Sequence, residues 1–488
     1  MARQFGLSKS RITAFEQCPK RLWLQVHRPE LAVRDEGAEA RFATGHEVGA
    51  IAYGLLPDGV MVEAEPDLTA ALSATKALLA GGHDRPIFEA TLEHDGVLVR
   101  IDILEPDGDG WRMAEVKSST RAKDYHLGDL ATQLWVAREA GVTVSRAAIR
   151  HIDNRFVLER DGDFVGLFAD TDLFAEAEAL AAGRGEVIAA ARTVLAGPVP
   201  SNAPGAHCET PFPCEFAGFC SSALPPGPAW PVTILPYGGG RRWLEQGVDD
   251  LIAVNPAALN NAMHQRVHLA TVTGEVFHDV DGARTAMAGW TFPRTWLDFE
   301  TIAFAVPRWI GTRPYQQIPF QFSAHVESQD GTVAHHEFLR LDGGDPRRPC
   351  AEALVALIPE TGAVISYNAG FERSRILELA ADFSDLTRRL KSIADRIVDL
   401  LPVTRACWYH RDQRGSWSIK AVLPTIAHDL DYADLDVKDG GAAQQAYLEA
   451  IADGTTPERR NTLDVALRLY CGRDTEAMVV LARRLVTA

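Results

Sequence analysis

The 488-residue chain has no run of about 18 or more apolar residues, so no membrane-spanning helix is expected. Its opening, MARQFGLSKSRITAFEQCPKRLW, lacks the apolar core of a secretory signal, which makes the cytoplasm the expected compartment. No phosphate-binding P-loop occurs. Gly238-Gly239-Gly240-Arg241 has neither the spacing nor the Lys-Ser/Thr ending and reads as a turn, so a built-in nucleotide-driven motor is not expected. Positive charge is scarce. Forty-nine Lys and Arg stand against 66 Asp and Glu, a net charge of −17, which counts against a simple electrostatic nucleic-acid binder. Local basic stripes remain at 9–21, 388–396 and 405–414, and each alone reads as solvated surface. Seven cysteines in so long a chain do not make a disulfide framework.

The placement of those cysteines is more informative than their number. Cys208, Cys214 and Cys220 form a C-x5-C-x5-C cluster in AHCETPFPCEFAGFC, Cys18 lies near the start, and Cys350, Cys407 and Cys471 are scattered. A proline-rich, loop-like setting for three evenly spaced cysteines is poor core design and good ligand design. Four thiolates suit a zinc ion or an iron–sulfur cluster, and the plain alternative is a set of incidental buried thiols.

The first half of the chain is organised around residues 85–119. Three apolar runs, 87–92, 97–104 and 111–116, are divided by Asp95-Gly96 and by Pro106-Asp107-Gly108-Asp109-Gly110, which predicts a strand meander. Glu115 and Lys117 are two apart on one strand and share a face, and Asp102 sits on the strand before. An Asp, a Glu and a Lys at one strand end can hold a divalent metal and activate water against a phosphodiester; the bland alternative is a polar sheet edge. Residues 125–140 carry helical apolar spacing at Leu127, Leu130, Leu134 and Val136-Ala137, with Gln133 among them. Residues 36–59 read as a helix ending at Pro57-Asp58-Gly59, and 163–195 as one long helix leading to the cysteine loop.

Asp102, then Glu115-x-Lys117, then a helix bearing Gln133 resembles the PD-(D/E)xK nucleases, in particular their RecB-like branch. Ala137 stands where that branch often has tyrosine. Leu7-Ser8-x-Ser10-x-Ile12 followed by Phe15-x-x-Cys18-Pro19-x-Arg21 resembles the opening of the RecB-like iron–sulfur nucleases, which include CRISPR-associated enzymes and helicase–nuclease subunits. The resemblance spans residues 7–222. It implies that Cys18, Cys208, Cys214 and Cys220 bind a [4Fe–4S] cluster that staples the domain, with Zn²⁺ as the alternative because the first C-x5-C spacing is wider than usual. It also implies Asp102 and Glu115 as metal ligands, Lys117 for water activation or transition-state charge, and Gln133 for orientation. His46 and Glu89 are weaker candidates at the same site.

Residues 225–232 (PPGPAWPV) predict a domain boundary. Beyond it, 246–254 and 260–271 read as helices of a small bridging module. Residues 296–301 (WLDFET) then read as a strand with Asp298 and Glu300 on one face, suited to binding two divalent ions. A proline-rich loop leads to a second strand at 320–326. Residues 363–372 read as a strand entering a helix with Glu372 at its start, and Tyr470 and Asp474, four apart, share a face of a C-terminal helix.

This series resembles the DEDD exonucleases of the ribonuclease H-like fold, over residues 292–488. Their motifs appear here as Asp298/Glu300, Asn368-x-x-Phe371-Glu372 and Tyr470-x-x-x-Asp474, with Glu372 where Asp is usual. The resemblance implies that Asp298, Glu300, Glu372 and Asp474 bind metal and that Tyr470 orients the attacking water. Asp399 is a secondary candidate, and 416–423 (SWSIKAVL) resembles the helix packed below such sites. Bacterial proteins of two fused nuclease-like parts, without an assigned role, show a similar arrangement.

The expected architecture is α/β: a PD-(D/E)xK domain over 1–225, a bridge over 226–290 and a ribonuclease H-like domain over 291–488. The expected function is a Mg²⁺- or Mn²⁺-dependent nuclease, an exonuclease on DNA more than RNA, in repair or defence, with a separate helicase or defence partner. The alternatives are an RNA 3′-end exonuclease using the C-terminal site only, and a non-catalytic nucleic-acid-binding scaffold with degenerate sites.

Overall fold

A computed structural model describes residues 6–33, 37–63, 67–82, 84–427, 430, 432 and 434–487. The chain divides into two units, Met1–Pro225 with Phe304–Gln316, and Pro226–Ala303 with Gln317–Ala488. Both mix helices with mixed parallel and antiparallel sheets, an α/β architecture. Among the described residues no helix is long and apolar enough to cross a membrane.

Unit 1 begins with β1 (Leu7–Ser8), α1 (Lys9–Gln17), α2 (Pro19–His27), α3 (Ala38–Gly54), β2 (Val60–Met61) and α4 (Leu68–Ala80). The meander follows as β3 (Ile87–His94), β4 (Val97–Asp107) and β5 (Gly110–Lys117). After it come α5 (Asp124–Glu139), β6 (Val144–Ile152), β7 (Phe168–Asp172), α6 (Phe174–Ala181), α7 (Arg184–Ala196) and α8 (Ala217–Ser222). The sheet runs β2-β3-β4-β5-β6-β7, with β1 parallel to β4. Asp95 and Gly96 both have positive φ, the requirement of a tight hairpin turn whose twist matches the strands it joins. β5 and β6 are parallel, with α5 as the crossover. The buried Leu130, Leu134 and Ala137 of α5 share one core with Val97, Val99 and Ile101 of β4.

Two sequence expectations need correction here. Residues 163–195 are not one helix: 168–172 form β7, antiparallel to β6, and the helical part is broken at Ala182-Gly183. The Ala- and Glu-rich composition is overridden at β7 by edge pairing and by Asp170, which receives two hydrogen bonds from Arg150 of β6. The helix expected over 36–59 is Ala38–Gly54, and Glu36 lies outside the described residues. The proline-rich segment 304–316 packs within unit 1. Leu158 N–H donates to Thr312 O at 3.0 Å, Gly311 N–H donates to Leu158 O at 2.7 Å, and Ala305 and Val306 join Val48, Ile152 and Leu167 in a small apolar cluster.

Unit 2 contains α9 (Arg241–Leu244), α10 (Ala262–Thr273), β8 (Phe277–His278), α11 (Val280–Met287), β9 (Arg294–Ile302), β10 (Ile318–Glu327) and β11 (Val333–Leu339). It continues with α12 (Arg347–Leu357), β12 (Val364–Ser366), α13 (Gly370–Asp382), α14 (Thr387–Asp395), β13 (Ile397–Asp399), α15 (Leu400–Cys407) and β14 (Trp408–Tyr409). The last helices are α16 (Ile419–Val422), α17 (Gly440–Ile451) and α18 (Pro457–Leu485). The sheet order is β11-β10-β9-β12-β13, antiparallel among the first three and parallel from β9 to β13. α18 lies against β9 and β10, where Gln321 donates to Leu467 O at 2.9 Å. Residues 226–290 share a core with the rest of this unit: Val232, Leu251, Val267 and Trp290 pack with Trp296, Trp408 and Leu485. Residues 246–254 are not helical beyond a 3₁₀ turn at Leu251–Ala253, since Gly247 at φ 78° breaks the run.

Candidate functional site

In unit 1, Glu115 is the hub of the predicted site. It is 1% exposed on β5. Its Oε1 accepts from Lys117 Nζ at 2.7 Å and also from Lys9 Nζ. Its Oε2 accepts from Gln133 Nε2 at 2.5 Å. Asp102, one step past the Ile103–Ala114 pair of the β4–β5 ladder, accepts from Val116 N–H at 2.7 Å through Oδ2. The structure therefore brings Asp102, Glu115, Lys117 and Gln133 together. Lys117 Nζ also lies 3.5 Å from Asp129 Oδ2 on α5, and Thr13 donates to Asp129 Oδ1 at 2.8 Å.

The two carboxyls are tuned in opposite directions. Burial, then the charge of Glu115, pushes Asp102 up to about 7, against Lys9 and Lys117. Burial would raise Glu115 too, but the ammonium groups of Lys117 and Lys9 outweigh it and hold Glu115 well below the carboxylate range. A divalent cation between them would ionise Asp102 and compete for Glu115 Oε1. Glu89 stands beside them in a left-handed backbone conformation, φ 55°, at the one step between Phe88 and Ala90 where the β3–β4 ladder lacks a pair while keeping its register. It accepts from Tyr53 OH and from Arg100, each at 2.8 Å. His46 is exposed on α3; the α3 residue held by this network is Tyr53.

Cys18, Cys208, Cys214 and Cys220 line one cavity, together with Arg21, His207 and Phe216. All four are free thiols. The loop carrying three of them is tied by Cys214 N–H to Cys208 O at 2.7 Å and by an Arg21–Glu215 ion pair at 2.8 Å. Among the described residues no three of these sulfurs lie within 4.8 Å of one another. Tetrahedral zinc, with Zn–S near 2.3 Å, needs sulfurs about 3.8 Å apart. Four thiols around one cavity suit a thiolate-ligated metal centre, of zinc or of iron and sulfur.

In unit 2, β9 presents Asp298 and Glu300 on one face. Glu372, in the first turn of α13, is 4% exposed, and its Oε2 has no hydrogen-bond partner among the described residues. Asp474 of α18 accepts from Tyr432 OH at 2.5 Å through Oδ1. Tyr470, one turn earlier, accepts from Lys420 Nζ at 3.0 Å, and that ammonium lies 4.8 Å from the centre of the Tyr470 ring. Asp298, Glu300 and Cys471 have ligand atoms within 4.8 Å of one another. Asp399 caps α15 through Leu401 N–H at 2.9 Å and accepts from Asn368 N–H at 3.0 Å, fixing the left-handed turn (φ 72°) that leads into α13.

Every carboxyl of this group is raised. Burial, then Asp474, Glu300 and Glu372, lifts Asp298 well above the carboxylate range. Burial and Asp474 push Glu300 up to about 8, against Lys420. Burial and Asp399 push Glu372 up to about 8. Burial raises Asp474 despite Tyr432 and Lys420. Buried acids that repel one another, with one oxygen unpartnered, form a donor set suited to a divalent cation.

Sequence reasoning missed Lys9, Asp129, Tyr53, Lys420, Tyr432 and Cys471. Lys9 and Lys420 carried a signal, because they fall inside the Leu7-to-Ile12 motif and the 416–423 stretch, and Cys471 adjoins Tyr470. Asp129, Tyr53 and Tyr432 meet their partners with no local pattern.

Residues 295–418 match the profile of a domain of unknown function (DUF2779). The matched stretch carries Asp298, Glu300 and Glu372 and stops short of Lys420, Tyr470 and Asp474. No curated protein matches the chain.

Proposed function

We propose that the chain is a metal-dependent nuclease with two sites, unit 1 of the RecB-like PD-(D/E)xK kind and unit 2 of the ribonuclease H-like DEDD kind. The observation that carries the reading is the convergence on Glu115. Lys117 from the same strand and Gln133 from the following helix bond its two oxygens, and Asp102 stands beside it on β4.

Asp102 and Glu115 would hold Mg²⁺ or Mn²⁺, which supplies an acidified water and offsets charge on the phosphoryl oxygens. Gln133 fixes the rotamer of Glu115. Lys117 is placed to donate to a non-bridging phosphate oxygen as negative charge develops there. Water attacks phosphorus, the new O–P bond forms as the bond to the leaving oxygen breaks, and that oxygen takes up a proton. In unit 2, Asp298, Glu300, Glu372 and Asp474 would hold two such ions. Tyr470 accepts from Lys420 and is hydrogen-bonded to Asp474, and would turn its hydroxyl to an attacking water once Asp474 holds a cation. The four cysteines lining one cavity, Cys18, Cys208, Cys214 and Cys220, would hold a [4Fe–4S] centre, with zinc as the alternative, in a structural role. The substrate is nucleic acid, DNA before RNA, with a separate helicase or defence component as a partner.

A second reading is an RNA 3′-end exonuclease that uses unit 2 alone, where the buried, unpartnered Glu372 oxygen would be available to a cation. The test compares the parent protein, Lys117→Ala and Asp298→Ala on 5′- and 3′-labelled single- and double-stranded DNA and RNA with Mn²⁺, after anaerobic purification. Loss of DNA cutting in Lys117→Ala supports unit 1 as the nuclease. Loss only in Asp298→Ala, on RNA, supports the second reading. Cutting by both variants at the parent rate, or no cutting by the parent, sinks the nuclease assignment.

A further inference from the structure

Helix α1 links the cysteine cavity of unit 1 to its carboxylate site. At its first residue, Lys9 donates to Glu115 Oε1. One turn on, Thr13 donates to Asp129, the residue facing Lys117. Glu16 pairs with Arg184 of α7, which is 1% exposed. Gln17 donates to His207 O at 2.8 Å and to Phe212 O at 2.7 Å, both in the cysteine loop. Cys18 then caps the helix, its N–H donating to Ala14 O at 3.0 Å. Lys9, Thr13, Glu16 and Gln17 follow the i, i+4 and i, i+3 spacing of one helix face. A nine-residue helix is unstable alone, and α1 buries only Ile12 and Ala14, so these ties set its position. At 1.5 Å per residue, Lys9 and Cys18 are about 13 Å apart on one rigid rod.

We propose that Lys9 is a second active-site lysine whose placement is set by the cysteine centre through α1. The proposal rests on the nuclease reading of unit 1. In the structure two ammonium groups share one carboxylate oxygen. A divalent ion held by Asp102 and Glu115 would compete with both ammonium groups for that oxygen. Lys117 keeps Asp129 as a second partner, whereas Lys9 is the ammonium released toward a bound phosphate. There it adds positive charge where the transition state gains negative charge. Lys9 thus does two opposed things: it competes with the cation, and it speeds cutting once the cation and phosphate are bound. Losing the cysteine centre frees the far end of α1 and removes both effects together.

The experiment uses the full chain, purified anaerobically with its iron content measured, and carrying Asp298→Ala to silence unit 2. Mn²⁺ binding is followed by the paramagnetic resonance of free Mn²⁺, and cutting by 5′-labelled single-stranded DNA. Lys9→Met is expected to tighten Mn²⁺ binding about 10-fold and slow cutting about 100-fold, with Lys9→Arg recovering part of the rate. A residue that merely supports the fold would weaken both. Cys208→Ser is expected to lose iron and shift both quantities in the same directions, and Lys9→Met added to it to cause little further change. Parental Mn²⁺ affinity and cutting in Lys9→Met, while Lys117→Ala is inactive, overturns the proposal and leaves the nuclease reading intact. Independent, multiplying losses in the double variant overturn the link to the cysteines. An inactive Asp298→Ala parent removes the nuclease reading of unit 1 and the proposal with it.

Discussion

Gln133 Nε2 donates to Glu115 Oε2 at 2.5 Å from the middle of α5, and the same amide lies 3.3 Å from Arg100 O on β4. One side chain thus holds a buried carboxylate and an adjacent strand. Gln133→Ala leaves a buried carboxylate oxygen short of a donor, at a cost of about 1–3 kcal/mol. The expected result is a lowered urea midpoint without change of slope, with DNA cutting reduced about 100-fold. Gln133→Glu places a second acid against Glu115 and should weaken cutting further at pH 8 than at pH 6. A variant as stable and active as the parent would show the contact to be dispensable.

The raised carboxyls make the cation-free protein sensitive to alkali. Glu300 and Glu372 titrate at about 8 when folded against about 4.5 in the free chain. Between those values the folded state holds protons that the unfolded state has lost, so stability falls as pH rises from about 5 to 8. Asp102, at about 7, adds to the same trend. The depressed Glu115 acts oppositely, but its contribution is lost only at pH values below this window. Thermal melts in chelator should therefore decline across pH 5–8, and Mn²⁺ should raise the midpoint more at pH 8 than at pH 6. Glu300→Gln with Glu372→Gln should flatten the chelator profile; an unchanged slope would place its cause elsewhere.

The meander around Asp102 and Glu115 was legible because its turns are chemical: Asp95-Gly96 and Gly108 adopt positive φ, which few residue types allow. The 3.6-residue apolar period made α5 legible, and the resemblance to the RecB-like branch singled out Gln133 on it. Lys9 and Lys420 were not readable as partners, since Lys9 meets Glu115 across 106 positions and Lys420 meets Tyr470 across 50. The strand at Phe168–Asp172 was hidden by its polar, edge-facing residues, whose partner Arg150 is supplied by another strand. Local chemistry reveals elements and turns; charge pairs between distant segments need the fold.

The cysteine loop offers a prediction that is independent of catalysis. Glu215 accepts from Gln25 at 2.7 Å and pairs with Arg21, so the segment between Cys214 and Cys220 is pinned to α2 beside Cys18. Cys220→Ser should lower bound iron to background and reduce protease resistance of the 200–222 region. Glu215→Ala, which keeps all four thiols, should retain iron but lose it faster to a chelator. Full zinc occupancy without iron in the anaerobic parent would replace the cluster with a zinc site.

In the proposed DEDD reading Glu372 stands where aspartate is usual, and its length matters. The carboxylate starts from the first turn of α13, is 4% exposed, and keeps Oε2 without a partner while its charge bears on Asp298. Glu372→Asp shortens the reach by one methylene and draws that oxygen back toward the α13 backbone. It should weaken Mn²⁺ binding and lower any unit 2 cutting about 10-fold, although it restores the commoner residue. Glu372→Gln should bind Mn²⁺ more weakly still, yet melt at a higher temperature than the parent in chelator at pH 8, because it removes one of the mutually repelling acids. Those two measurements separate reach from charge. If the aspartate variant cuts faster than the parent, the glutamate is a mistuned ligand; if it cuts more slowly, this site is built around the longer side chain.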